Sequence, residues 1–186
     1  MCNEHSRGAF LSGLVAAGGA ALIPRSVFAR EQQQYRVREL WLRNALTGED
    51  LRAPFTIDGR TVYTPGYYAL CRILRDTHVP LSEGDVLIDI RTIEGLFETQ
   101  QVLLLAGIRS PIDVYSGYRT PQTNAAVEGA HYSYHMRAQA VDFSVPGVEL
   151  GYVWRVCNSR PITGGLGFYR GSHIHVDCGP KRYWEG

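Results

Sequence analysis

Apolar and polar residues alternate along "YRVRELWLRNA" (residues 35–45) as in a half-buried strand, and Thr47-Gly48 closes the run with a turn. A second hairpin is expected in "APFTIDGRTVY" (53–63), with Asp58-Gly59 as its turn pair, and the two segments are expected to pair with each other. The period then becomes helical. Thr64-Pro65 reads as an N-cap followed by a first-turn proline, with Tyr67, Leu70, Cys71 and Leu74 on one face. Asp89 caps a further helix in which Ile93, Leu96, Phe97 and Leu104 keep the period until Gly107 ends it.

From Ile112 the texture changes to short strands with polar tips: "IDVYSGYRTP", a short helix from Pro121 to about Glu128, then "HYSYHMRAQAVDFSV". A helical run around Leu150 to Val156, the glycine-rich strand "GGLGFY", a turn at Gly171-Ser172 and the strand "HIHVD" complete the pattern. No repeat or second domain interrupts it. The expected fold is α+β: a single domain with a small, mainly antiparallel sheet and flanking helices.

Composition narrows the function classes. Of 186 residues 45% are hydrophobic, enough for one globular core, and Lys+Arg of 19 against Asp+Glu of 18 gives none of the basic excess that nucleic-acid binding uses. The first segment differs from the rest. Gly8 to Ile23 carries no charge, follows Arg7 and leads to Val27-Phe28-Ala29, a small-x-small cleavage pattern. Residues 1–29 are therefore expected to be an export signal, 30–38 a polar linker and 39–186 the domain. The apolar run is too short and too glycine-rich for a permanent span, so no membrane anchor is expected after cleavage. A frayed N-terminal helix of a cytosolic protein is the alternative, and the export route stays open. Cleavage leaves Cys71, Cys157 and Cys178, too few for a disulfide framework, with no CxxC pair.

Candidate chemistry gathers late in the chain. In an extended "HIHVD", His173, His175 and Asp177 share one face while Ile174 and Val176 take the other. Asp142 sits in "AQAVDFSV", which also alternates and sets it opposite Val141 and Phe143, and His135 precedes it by seven positions. Two imidazoles and a carboxylate make the ligand set of a catalytic zinc with an open position for water. Spacing alone also allows a solvated polar face, a His131/His135 pair on a helix, or an iron site.

"SGYRTPQTNAAV", "SYHMRAQAVD" and "GGLGFYRGSHIHVDCGPKRYW", in this order, together resemble the YcbK-like (MepK-type) murein endopeptidase branch of the zinc D-alanyl-D-alanine peptidases. That group shares a fold core with lysostaphin-type endopeptidases and the hedgehog signalling domain. The resemblance runs from about Leu40 to Trp184 and is tightest from Ser116 onward. It implies zinc ligands at His135, Asp142 and His175. It implies that Arg119 holds a substrate carbonyl or carboxylate and that Ser133, the serine of the SxH motif, lies at the substrate. His173 matches the HxH pair of the wider group and suits a general base, while Asp177 would either orient a ligand histidine or act as the base itself. The tail residues Lys181, Arg182 and Trp184 are expected to pack and cap the fold. At Met136-Arg137-Ala138-Gln139 the family pattern has a glycine and a small residue, and this chain departs from it.

The resemblance thus implies an exported, periplasmic zinc metallopeptidase that hydrolyses peptidoglycan stem peptides or cross-links with metal-activated water. Two alternatives remain at this stage: a non-catalytic zinc-containing module that binds peptidoglycan or a protein, and a D,D- or L,D-carboxypeptidase. The residues fix neither the stereochemistry of the bond nor an oligomeric state.

Overall fold

The computed structural model describes residues 37–160 and 164–186. The expected export signal 1–29, and all of the expected linker except Val37 and Arg38, lie outside the described residues. No helix among those described is long and apolar enough to cross a membrane.

The first alternating run forms β1 (Arg38–Asn44), which buries Leu40 and Leu42 and turns through Gly48 (φ 75°) into β2 (Asp50–Thr56). These strands pair antiparallel, as their pattern requires. The expected hairpin at Asp58-Gly59 does not form; only an isolated bridge joins Thr56 to Val62. Asp58 accepts hydrogen bonds from the amides of Arg60 and Thr61 and from the Thr61 hydroxyl, so the side chain closes a local turn in place of a strand ladder. Helix α1 (Thr64–Ile73) follows, with Tyr63 rather than Thr64 at its N-cap and proline in its first turn. A one-turn α2 (Leu81–Gly84) precedes α3 (Ile90–Leu105), which Asp89 caps by accepting from the Arg91 amide.

Then come β3 (Ile112–Ser116), α4 (Pro121–Ala126), a 3-10 turn (His135–Arg137), β4 (Ala140–Ser144), α5 (Leu150–Asn158), β5 (Gly165–Tyr169), β6 (His173–Asp177) and β7 (Arg182–Glu185). One seven-stranded sheet runs in the order β2-β1-β3-β4-β6-β5-β7. Its β1–β3 and β5–β7 junctions are parallel and the other four antiparallel. The fold is α+β, with α3 and α5 packed together and against β1 and β5–β6 respectively. Leu40, Leu96, Leu103, Ile112, Phe143, Val153 and Ile174 fall in one continuous core. That core holds the opposite face of β4 and β6 still, and this rigid surface carries the site.

Candidate metal centre

Asp142 and His175 are direct cross-strand partners between β4 and β6, so their side chains rise side by side on the same face. His135 arrives from the 3-10 turn immediately before β4. The three ligand-type atoms converge: His135 Nε2 lies 3.1 Å from His175 Nδ1, His175 Nδ1 lies 2.8 Å from Asp142 Oδ1, and His135 Nε2 lies 3.3 Å from Asp142 Oδ1. All three residues are buried. Tetrahedral zinc with bonds near 2.0–2.1 Å sets its ligand atoms about 3.3 Å apart, so these distances fit a metal with little movement.

The neighbouring hydrogen bonds fix which atoms face inward. His135 Nδ1 sits 2.6 Å from the Gly117 carbonyl and donates to it, leaving Nε2 as a lone pair. His175 Nε2 sits 3.0 Å from Asp177 Oδ2, turning Nδ1 toward the cluster. Two acceptors, His135 Nε2 and Asp142 Oδ1, therefore share one point with His175 Nδ1. A proton on Nδ1 reconciles them partly; a metal cation satisfies all three. Each imidazole is held from behind by a carbonyl or carboxylate, the outer arrangement typical of histidine ligands.

Ionisation follows the same geometry. Burial pushes the His135 imidazole below its ordinary value, which keeps it neutral. Burial alone would raise Asp142, but its hydrogen bond with His175 and the charge on that imidazole outweigh it and hold the carboxyl well below its usual range. Burial opposes the charged form of His175 too, yet hydrogen bonds to Asp142 and Asp177 prevail and raise its pKa.

Arg119 spans the edge of this cluster. Its Nε donates to Ser116 Oγ at 2.7 Å and its Nη2 pairs with Asp142 Oδ2, the oxygen turned away from the histidines. It thus orients Asp142 while lining the cleft. His173 stacks on Tyr169 with ring centroids 4.3 Å apart, keeps Nδ1 within 2.8 Å of Ser172 Oγ, and places Nε2 3.8 Å from Asp142 Oδ1. Desolvation lowers its pKa, so the ring stays neutral at neutral pH. Asp177 differs from the picture of a free base. Its carboxylate accepts from the amides of Gly165 and Gly179, from both terminal nitrogens of Arg182 and from His175. Although burial opposes ionisation, those donors hold its pKa far below the usual value. Ser133 lines the cleft, but its Oγ accepts from the His135 amide at 3.3 Å and so steadies the turn that carries His135.

The expectation that the C-terminal tail only packs and caps is corrected: Arg182 and Trp184 line the cleft. β5 presents glycine at Gly165 and Gly167 on this face, opposite Arg182 and Trp184 of β7. A side-chain carbon at Gly167 would fall 2.6 Å from the Trp184 ring, and one at Gly165 would fall 2.4 Å from Asp177 Oδ2. The two glycines let Trp184 reach across to within 5.1 Å of the His175 ring, and Arg182 reach Asp177. The Gly-x-Gly alternation beside "HIHVD" was the sequence signal for this. His131 is exposed and outside the cluster, and Cys178 pairs with Thr92 at 3.3 Å.

Two cavities adjoin the cluster. One lobe of about 700 Å³ is walled by Tyr132, Tyr134, Tyr169 and Trp184; a smaller one of about 180 Å³ is walled by Arg75, His78, Tyr115 and Tyr118. Arg119, Asp142 and His173 border both.

A family model described as peptidoglycan L,D-endopeptidase MepK matches residues 32–184. The peptidoglycan L,D-endopeptidase MepK of Escherichia coli (strain K12) is 34% identical over 172 residues, covering 89% of this chain and 90% of that protein. A protein of Haemophilus influenzae named probable peptidoglycan L,D-endopeptidase MepK is 32% identical over 176 residues, covering 90% of this chain and 89% of its own.

Proposed function

The chain belongs to the peptidoglycan L,D-endopeptidase MepK family, and from that membership we propose that it is an exported murein endopeptidase that hydrolyses peptide cross-links at the His135–Asp142–His175 centre. The observation that carries the reading is the convergence of His135 Nε2, Asp142 Oδ1 and His175 Nδ1, each oriented by a second group behind it. Two imidazoles and a carboxylate with an open fourth position favour zinc. Zinc held there supplies a Lewis acid for the scissile carbonyl and a water made nucleophilic near neutral pH.

The remaining work falls to side chains of this chain. In the tautomer whose Nδ1 proton is donated to Ser172 Oγ, 2.8 Å away, His173 has a lone pair at Nε2 beside Asp142, where it receives the water's proton and returns it to the leaving amine. Arg119 steadies Asp142 and adds positive potential where the carbonyl oxygen gains charge. Asp177 acts through His175, as a positioning residue. The two lobes that meet at Arg119, Asp142 and His173 give room for peptide on both sides of the bond, which favours an endopeptidase over a carboxypeptidase. The apolar segment up to Ala29 and a murein substrate together point to the periplasm.

The test is metal content by mass spectrometry on the chain lacking residues 1–29, beside His135→Ala and Asp142→Ala, with muropeptide digestion of the same preparations. About one zinc per chain in the parent only, with new products whose masses name the bond, is the expected result. Stoichiometric zinc without digestion would turn the reading to a binding module, and folded, zinc-supplied protein without metal would overturn the centre.

A further inference from the structure

β7 is the outermost strand of the sheet, and its side chains alternate: Trp184 points into the cleft, and Tyr183 points to the other side, toward α5. There a groove of about 450 Å³ is lined by Trp154, Arg155, Phe168, Tyr183, Trp184 and Glu185. The Trp154 and Tyr183 rings lie 6.0 Å apart at 51°, and Tyr183 is 51% exposed, so half of its surface is open to solvent beside Trp154. Lys181 covers one side of Tyr183 at 5.9 Å. Arg155 and Glu185 stand exposed at the rim as polar partners.

Trp184 borders both this groove and the catalytic cleft, so one continuous surface wraps the sheet edge. Peptidoglycan is a branched polymer, with peptide stems carried on N-acetylated amino sugars. Pyranose rings present C–H faces of slight positive charge, which match the negative faces of aromatic rings, while their hydroxyl and acetamido groups need polar partners at the edge. We propose that the groove between Trp154 and Tyr183 is a glycan subsite: it takes an N-acetylhexosamine ring of the same polymer while its peptide stem enters the cleft across β7. This rests on the murein reading above for the identity of the polymer.

The test separates the two ideas. Binding of a peptide-free N-acetylglucosamine tetramer to the full domain is measured by isothermal titration calorimetry, for the parent, Tyr183→Ala and Trp154→Ala, with thermal melts to establish folding; the half-exposed Tyr183 can be truncated without opening the core. Digestion is compared on cross-linked stem peptides with and without their sugars. The expected result is saturable binding in the parent, its loss in both variants, and about tenfold slower digestion of the sugar-linked substrate only. Equal slowing on both substrates, or no tetramer binding by the parent, overturns the subsite. Concentration-dependent self-association abolished by Tyr183→Ala would assign the groove to a second copy instead. A parent that binds the tetramer but digests neither substrate would sink the peptidase reading and leave the subsite standing.

Discussion

Asp177 Oδ2 lies 3.0 Å from His175 Nε2, two positions away along β6, and Asp177 is itself locked by Arg182 and by the amides of Gly165 and Gly179. The carboxylate therefore sets the tautomer and orientation of His175, and its own lone pairs are committed. Asp177→Asn is expected to weaken zinc binding by about 10–100-fold, with most activity recovered when zinc is supplied in excess. Chelator competition measures the affinity. Unchanged affinity with a rate loss that saturating zinc does not repair would make Asp177 the base.

His173 and His175 share a face but have different partners, and their alanine variants should differ in kind. His175→Ala removes an atom of the converging triad and is expected to lose both metal and activity. His173→Ala leaves the triad intact, so zinc should stay stoichiometric while the rate drops by about 10²–10⁴, the usual contribution of a positioned proton-transfer group. Full turnover by the His173 variant would remove it from the mechanism.

Zinc binding should depend on pH through His175. In the metal-free protein hydrogen bonds to Asp142 and Asp177 overcome burial and raise this imidazole above its ordinary value of 6.5. Below that raised pKa, Nδ1 carries a proton that the ion must displace. Apparent affinity is thus expected to fall as pH drops through the neutral range and to level off above the raised pKa. Zinc titrations across that range measure it, and the break should move to lower pH in Asp177→Asn, which removes one of the two carboxylates. A break that stays put would show that Asp177 does not act on His175.

The "HIHVD" pattern was legible because alternation on a strand is a local property: it placed His173, His175 and Asp177 on one face, and β6 does so. The partners across strands were not, since register is a tertiary outcome; nothing in "AQAVDFSV" alone sets Asp142 opposite His175. The tail failed for the same reason. Arg182 and Trp184 enter the cleft only because β7 joins β5 in parallel beside two glycines. The false hairpin at Asp58-Gly59 failed locally, through hydrogen bonds that the Asp58 side chain makes to its own turn. Within the departure at Met136 to Gln139, Ala138 occupies the left-handed region (φ 55°), which glycine adopts without a steric penalty.

Among the described residues two, Glu128 and Ala138, hold that conformation without being glycine, and magnitudes separate them. Glu128 (φ 54°) is exposed and ends α4 in the arrangement that favours glycine, with Gly129 N bonded to Asn124 O and Glu128 N to Ala125 O. Glu128→Gly relieves strain and removes no buried carbon, so a gain of about 1 kcal/mol is expected. That corresponds to a rise in Tm of about 2–4 °C for a domain of this size. Ala138 is buried, and Ala138→Gly, which loosens the unfolded chain as Glu128→Gly does, would in addition delete a methyl group worth about 0.8 kcal/mol. Relief and loss then nearly cancel, and Tm should stay close to the parent's. Thermal melts of both metal-free variants check the contrast; a larger gain at Ala138 than at Glu128 would mean that strain beside His135 exceeds what its dihedrals account for.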